Sequence, residues 1–253
     1  MRCVLVTGAS RGIGREVAQA FAELGDRVAV HYSASRAGAE RTAAQLPGDG
    51  HAVVAGDLAD PLQARQIVAD AIAALGRVDV LINNAGIAPT VENAHRIAEV
   101  DFERWCAAWT GMVDVNLLGT ANVTWAAARH MIEHGSGGRI INVGSRGAFV
   151  GEPDHPAYAA SKAAMHAMSQ SLALALAPHN IAVSAIAPGF VATERQQVKL
   201  DGAQGAAIRG QSPFARVGTT REIASGIVYL ASADAEWASG AILDLNGASY
   251  LRT

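Results

Sequence analysis

Short β-branched runs alternate with longer Ala- and Leu-rich stretches of helical period along this 253-residue chain. The alternation predicts an α/β domain with a parallel sheet and helices on both faces, because each parallel connection needs a crossover. We predict these strands: Cys3–Thr7, Val28–Tyr32, Ala52–Ala55, Val80–Asn83, Arg139–Val143, Ala182–Ile186 and Ala241–Leu245. We predict these helices: Ile13–Leu24, Ala37–Leu46, Pro61–Leu75, Phe102 to about His134, Tyr158–Leu176 and Arg221–Leu230. Right-handed crossovers then give one doubly wound domain, residues 1–253, of about seven strands.

Two segments, Ala88–Val100 and Glu194–Ser212, carry no clear pattern. Each follows the carboxyl end of a predicted strand, the edge at which open α/β sheets bind ligands. We therefore expect both to be substrate loops or lids. A plain surface connection is the alternative, and it is weaker for the second segment because long loops in compact domains are usually functional.

The charge balance limits the partners that this chain can have. Lys and Arg total 20 and Asp and Glu total 23, so no basic excess favours nucleic acid or an anionic membrane. Cys3 and Cys106 are too few for a disulfide framework or a zinc cluster, which fits a reducing compartment. With no secretory signal and no bilayer-length apolar run, we expect a cytoplasmic protein.

The first predicted strand runs into a glycine-rich turn, Thr7–Gly14, and then into a helix. Glycine lets a pyrophosphate approach the backbone, and the helix N-terminus offers free N–H groups and partial positive charge. The turn therefore predicts a Rossmann-like dinucleotide site. The residues expected to bind there are Gly8, Ser10, Arg11, Gly12, Ile13 and Gly14.

The Gly-x-x-x-Gly-x-Gly spacing resembles the cofactor turn of the short-chain dehydrogenase/reductase family. The resemblance covers nearly the whole chain and looks closest to the 3-oxoacyl-acyl-carrier-protein reductases. It continues through Gly56-Asp57-Leu58, Asn83-Asn84-Ala85-Gly86, Asn116, Ser145, Tyr158-x-x-x-Lys162 and Pro188-Gly189. It implies that Asp57 and Leu58 flank the adenine, that Asn83, Asn84, Ala85 and Gly86 line the ribose, and that Pro188, Gly189, Val191 and Thr193 hold the nicotinamide.

The residues after the second strand favour NADP(H) over NAD(H), although NAD(H) stays possible. NAD-specific folds place an acid there for the ribose hydroxyls, whereas a 2′-phosphate needs cations. Here the strand is followed by Ser33-Ala34-Ser35-Arg36, without an acid. We expect Ser33, Arg36 and Arg11 to face the phosphate; Arg36 starting a solvated helix is the alternative.

Tyr158 and Lys162 lie four residues apart in a helical pattern, so they project from one face. An ammonium near a phenol favours phenolate, so we expect Lys162 to lower the tyrosine pKa and Tyr158 to act as the acid and base. Both are also expected beside the cofactor. Ser145 ends the fifth strand, close enough to share the substrate oxygen. The resemblance adds Asn116, which kinks its helix and holds a water against the lysine.

The leading interpretation is an NADPH-dependent reductase of a ketone or a 3-oxoacyl thioester. An alcohol, sugar or steroid dehydrogenase is the rival enzyme, and a dinucleotide-sensing binding protein is the alternative from another class, which would be expected to lack an intact Tyr/Lys pair. Four apolar residues are candidates for an acyl or aryl pocket: Phe149, Val150, Phe190 and Phe214. The resemblance further implies a homotetramer. His130, Glu133 and His134 match an inverted zinc-protease motif, but we predict no metal site.

Overall fold

The computed structural model describes residues 1–252, which contain a seven-stranded, wholly parallel sheet. Its strands are β1 (Cys3–Val6), β2 (Arg27–Tyr32), β3 (Ala52–Ala55), β4 (Val80–Asn83), β5 (Gly138–Val143), β6 (Ile181–Pro188) and β9 (Ile242–Leu245). They lie in the order β3-β2-β1-β4-β5-β6-β9. A small parallel pair joins β7 (Val191–Ala192) to β8 (Gly218–Thr219). All seven predicted strands are confirmed to within one or two residues.

The α-helices are α1 (Gly12–Glu23), α2 (Arg36–Gln45), α3 (Pro61–Leu75), α4 (Phe102–Val113), α5 (Thr120–His134), α6 (Pro156–Leu176), α7 (Glu194–Asp201), α8 (Gly205–Gly210) and α9 (Thr220–Leu230). Within the described residues, none of them is both long and apolar enough to cross a bilayer.

The five inner strands bury both of their faces, and the alternation along β1 shows how. Val4 and Val6 join a core cluster with α1 and α9, whereas Cys3 and Leu5 join a second cluster with α3 and α5. Side chains on a strand alternate between the two faces with period two, so the two clusters are the two sides of one sheet. This burial explains why the strands read as continuous apolar runs rather than alternating ones.

Two regions differ from the predicted elements. The single helix expected from Phe102 to His134 is divided by a π-helical segment, Asp114–Gly119, between α4 and α5. The segment Glu194–Ser212, expected as a loop, contains α7 and α8. Polar and small residues hid these two short helices, since α7 buries only Leu200 and so lacks an apolar face.

Candidate active site

The glycine turn between β1 and α1 adopts a conformation that requires glycine. Gly8 and Gly12 have φ of +65° and +57°, in the left-handed region. A methyl group on Gly14 would collide with the carbonyl oxygen of Gly8. The residue before α1, Arg11, is extended and its side chain caps none of the first helical N–H groups. The turn therefore presents a bare backbone cradle and a helix N-terminus to the adjoining cleft.

A buried histidine, His31 on β2, supports this turn from behind. Its Nδ1 accepts a hydrogen bond of 3.1 Å from Gly8 N, and its Nε2 lies 3.1 Å from Gly56 O and donates to it. Burial lowers the pKa of His31 to about 4, which keeps the ring neutral and able to accept. Sequence reasoning missed this residue, although a histidine inside a buried apolar strand beside a glycine turn was a usable signal.

Asn84 ties the end of β4 to the same turn. Its amide nitrogen donates to Thr7 O at 2.9 Å and to Gly8 O at 3.1 Å. The Thr7 hydroxyl oxygen in turn accepts from the backbone N–H groups of Asn84 and Ala85. These bonds fix the first and fourth strand ends relative to each other.

The cleft at the carboxyl edge of the sheet has a volume of about 1060 Å³ and gathers most of the predicted site residues. The predicted cofactor residues that line it are Gly8, Ser10, Arg11, Gly12, Ile13, Gly14, Ser33, Asp57, Leu58, Asn84, Ala85, Gly86, Tyr158, Lys162, Pro188, Gly189, Val191 and Thr193. Ser145 lines it as well.

Two residues predicted to bind the cofactor are placed elsewhere. Arg36 is exposed on α2 and donates to Glu40 at 2.8 Å, as an i,i+4 pair does, so the alternative of a solvated helix start describes it. Asn83 is buried under the cleft, where its amide nitrogen donates to Thr124 and Asn142 side chains. Asn83 therefore joins β4 to β5 and α5 instead of lining the ribose pocket.

Tyr158 lies in the first turn of α6, and its hydroxyl contacts the side chain of Ser145, which lies just after the end of β5. Burial, the largest effect, raises the pKa of Tyr158, while its contact with the Ser145 hydroxyl lowers it. The net direction is upward because the desolvation of the phenol outweighs the lowering by Ser145 and Arg195, and the lowering of this pKa by Lys162 stays a prediction. Ser145 Oγ also accepts from Gly147 N at 3.0 Å, which fixes its hydroxyl toward the cleft.

Lys162 is one helical turn beyond Tyr158 and is 5% exposed. Its Nζ donates to Val143 O at 2.8 Å, at the end of β5. Burial lowers the pKa of Lys162 to about 8, so the ammonium remains largely protonated at neutral pH.

Asn116 lies in the π-helical segment and is fully buried. Its Oδ1 accepts from Ile87 N at 2.7 Å, and its Nδ2 donates to Ile87 O and to Ser161 Oγ. A Cβ on Gly86 would lie 2.9 Å from Asn116 Oδ1 and 3.6 Å from Lys162 Nζ, so the amide faces the lysine across a glycine. The predicted break in the helix is present, as a π-helical widening.

The Ala88–Val100 segment, expected as a substrate loop or lid, packs against the loop that precedes α6. His95 N donates to Asp154 O at 2.9 Å, and Arg96 pairs with the Asp154 carboxylate at 2.6 Å. His155 Nε2 donates to Thr90 O at 2.8 Å. We call the two joined segments, Thr90–Arg96 and Glu152–His155, the loop clamp; it closes one wall of the cleft beside Tyr158.

The wall beyond Tyr158 is polar. Its charged and amide side chains are those of Glu152, Asp154, His155, Arg195, Gln196, Lys199 and Gln211. Of the four apolar candidates only Phe190 lines this cleft. Phe149 stacks on His166 with ring centroids 5.1 Å apart, and Phe214 lines a separate cavity of about 290 Å³.

The comparison with known proteins agrees with this geometry. The sequence profile described as short chain dehydrogenase matches residues 2–203. An L-rhamnose 1-dehydrogenase (NAD(P)(+)) of Azotobacter vinelandii is 38% identical over 256 residues, 99% of this chain and 97% of its own. The 3-oxoacyl-acyl-carrier-protein reductase FabG of Staphylococcus aureus is 34% identical over 253 residues, 99% of this chain and 98% of its own.

A solved structure of a short chain dehydrogenase from Burkholderia cenocepacia in complex with NADP superposes with a TM-score of 0.87 at 31% identity. The match covers 98% of this chain and 97% of that one. The chain belongs to the short-chain dehydrogenase family. It is accordingly an NAD(P)-dependent oxidoreductase with a Rossmann-like fold, which removes the sensing protein as an interpretation of the domain.

In this dehydrogenase the residues present fit a dinucleotide. One cleft of about 1060 Å³ is lined by Asp57, by the glycine turn and by Tyr158, and a Cβ on Gly14 would disrupt that turn. The bare N-terminus of α1 supplies N–H donors for a pyrophosphate, as in other dinucleotide folds.

Proposed function

We propose that this dehydrogenase transfers hydride between NADP(H) and the carbon of a carbonyl or secondary alcohol. The observation that carries the proposal is the convergence of Ser145, Tyr158 and Lys162 on one cleft whose floor is the glycine turn. When bound, the nicotinamide supplies the hydride in reduction or accepts it in oxidation, and its oxidised form adds positive charge beside the phenol.

The roles of the side chains follow from their positions. The Tyr158 hydroxyl gives its proton to the carbonyl oxygen in reduction and takes it back from the alcohol in oxidation. Ser145, fixed by Gly147 N, donates to the same oxygen. Lys162, held at Val143 O, keeps a positive charge under the phenol and stabilises its anion. Asn116 holds the Ile87 backbone against this group.

NADP(H) is the proposed cofactor because no carboxylate follows β2. Ser33, Ala34 and Ser35 line that end of the cleft, and Arg11 lines the same cleft. An acid that would accept the 2′-hydroxyl of NAD and repel a 2′-phosphate is missing from these residues. The NADP-bound Burkholderia relative supports the same choice. Comparison of kcat/KM with NADPH and NADH tests it, and a preference for NADH would refute it.

Two substrate classes have support. The FabG relative favours a 3-oxoacyl thioester, as the sequence predicted, whereas the L-rhamnose 1-dehydrogenase relatives favour a hydroxylated substrate. The polar wall of the cleft and the position of Phe149 and Phe214 outside it favour the second class. We therefore propose a hydroxylated alcohol or its carbonyl product as the substrate, with the thioester as the alternative.

The reaction is tested by following NADPH at 340 nm with ketones, acetoacetyl thioesters and, in the reverse direction, NADP⁺ with alcohols and sugars. Tyr158→Phe should lower kcat by 10² or more, because it removes the proton donor without changing the shape of the site. The cofactor should still bind this variant. Full activity of Tyr158→Phe would refute the mechanism.

A further inference from the structure

The carboxylate of Glu152 is a charged group in the cleft that the reaction itself does not use. Glu152 belongs to the loop clamp, and its backbone oxygen accepts from His155 N at 3.0 Å. The side chain is half-buried, yet within residues 1–252 neither carboxylate oxygen has a hydrogen-bond donor. Its oxygens are open to the water of the cleft, so a substrate that displaces this water must bring hydrogen-bond donors of its own.

Glu152 points toward the place where the substrate must react. The position that a Cβ on Gly147 would take lies 2.7 Å from Glu152 Oε1 and 3.2 Å from Ser145 Oγ. The charge of Glu152 also acts on Tyr158, whose pKa it raises. A substrate whose reacting oxygen meets Ser145 and Tyr158 therefore brings its neighbouring carbons next to the Glu152 carboxylate.

The surrounding charges narrow the chemistry of that substrate. Arg146 and Lys199 act on Glu152 with positive charge and Asp154 acts with negative charge, so these four groups together have no net negative charge to attract an ammonium group. A carboxylate or phosphate placed against Glu152 would be repelled. An alkyl chain would shut water away from the carboxylate and leave it without donors, which is unfavourable. Neutral hydroxyl groups satisfy it, because each one donates.

We propose that Glu152 determines specificity by accepting hydrogen bonds from hydroxyl groups on carbons adjacent to the reacting one, so that the substrate is a neutral polyhydroxylated compound. This inference rests on the proposed function and adds to it the residue that selects the substrate. Hydrogen bonds to a charged acceptor are about twice as strong as neutral ones, so Glu152 should strongly favour substrates that carry this hydroxyl over substrates that lack it.

The experiment is a double-mutant cycle in which the Glu152 carboxylate is removed by substitution and one substrate hydroxyl is removed by using a deoxy analogue. The kcat/KM for NADP⁺ reduction is measured with D-glucose, D-galactose, L-rhamnose, xylitol, 2-deoxy-D-glucose, 2-deoxy-D-galactose and cyclohexanol, and for the reverse reaction with acetoacetyl thioester. For the best hydroxylated compound with a deoxy analogue, loss of the hydroxyl should lower kcat/KM at least tenfold in the wild type. In Glu152→Gln, loss of the same substrate hydroxyl should lower kcat/KM less than threefold. Compared with the wild type, the variant should have a higher KM for the hydroxylated compound and a nearly unchanged kcat.

Glu92→Gln is the matched control, because Glu92 is an exposed carboxylate in the other segment of the loop clamp and does not line the cleft. It should retain the full tenfold difference. An equal hydroxyl effect in wild type and Glu152→Gln would overturn the proposal, as would turnover of only cyclohexanol or the thioester. Those two results leave the proposed function intact, whereas no turnover of any compound with either cofactor would refute that function and this inference together.

Discussion

His95 Nε2 accepts a hydrogen bond of 3.1 Å from the backbone N–H of Ala157, the residue immediately before Tyr158. The first N–H groups of a helix have no partner within the helix, and here a side chain from 62 residues earlier in the chain caps one of them. The other ring nitrogen, Nδ1, lies 2.9 Å from Asn93 O and donates to it. The ring is fully buried, so both bonds are protected from water.

His95→Ala should therefore lower both stability and activity. It leaves the buried Ala157 N–H without an acceptor, at a cost of about 1–3 kcal/mol in the free energy of unfolding. Because Tyr158 is the next residue, kcat should fall more than the cofactor affinity does. Urea unfolding and steady-state kinetics measure the two effects. His179→Ala, at an exposed histidine, is the control, and equal behaviour of the two variants would contradict this role for His95.

Acid should destabilise the protein below about pH 6.5. Burial lowers the pKa values of His31 and His166 to about 4 in the folded chain, from 6.5 when unfolded. Between these values the unfolded state binds more protons, so stability decreases as pH falls from about 6.5 to about 4. Each histidine should account for about 2 kcal/mol between pH 7 and pH 5.

Chemical unfolding at pH 7, 6 and 5 measures this loss. In His166→Gln the loss of unfolding free energy between pH 7 and pH 5 should be smaller by about 2 kcal/mol, the contribution of one histidine. His179→Gln should leave it unchanged. An unchanged slope in His166→Gln would show that this ring does not titrate in the expected range.

Gly14→Ala should weaken cofactor binding. The added methyl group would lie 2.5 Å from Asn84 Nδ2, besides its collision with the Gly8 carbonyl, so the turn must open. We expect NADPH affinity, measured by calorimetry, to fall at least tenfold. Gly210→Ala is the control, since a Cβ there meets nothing within 4 Å. Wild-type affinity in Gly14→Ala would refute the placement of the pyrophosphate.

Arg11 and Arg36 should contribute unequally to the choice of cofactor. Arg11→Ala should lower kcat/KM for NADPH about tenfold and leave that for NADH nearly unchanged, because only Arg11 lines the cleft. Arg36→Ala should change neither value by more than about twofold, the effect of losing an exposed pair with Glu40. A large NADPH-specific defect in Arg36→Ala would show that Arg36 leaves Glu40 for the phosphate.

The predicted homo-oligomer can be tested at Trp125. This side chain on α5 is 60% exposed, and Leu118 in the adjoining π-helical segment is 50% exposed. Exposed apolar side chains in one stretch are typical of an interface. Trp125→Glu should shift the sedimentation coefficient toward a smaller species, whereas Arg129→Glu, nearby on α5, should shift it less. An unchanged sedimentation profile in Trp125→Glu would place the interface elsewhere.

The strands and the glycine turn could be predicted because their signals are local. A buried parallel strand needs a continuous apolar run, and the turn needs glycine at Gly8, Gly12 and Gly14. Tyr158, Lys162 and Ser145 could be placed because each is tied to the end of a predictable element. The NADP(H) preference rested on the same kind of local evidence, the residues that follow β2.

The structure departs from the predicted positions at side chains whose partners are distant in the sequence or compete with the cofactor. Nothing in the sequence distinguishes Asn83, bonded to Thr124 and Asn142 beneath the sheet edge, from Asn84, bonded to the glycine turn one residue later. Arg36 had a competing partner in Glu40 one helical turn away. His31 and His95 were missed because each one accepts a hydrogen bond from a backbone N–H that only the tertiary fold brings to it.

The loop clamp also affects how the substrate range of such an enzyme can change. Thr90, His95 and Arg96 bond directly to the Asp154–Ala157 stretch. Replacing either segment alone would therefore leave polar groups of the other without hydrogen-bond partners. Grafting both segments of the loop clamp together keeps their hydrogen bonds and ion pair. It leaves unchanged the strand ends at which the dinucleotide is expected to bind. New specificities should thus be transferable between homologues as a pair of segments, with the hydride chemistry carried over unaltered.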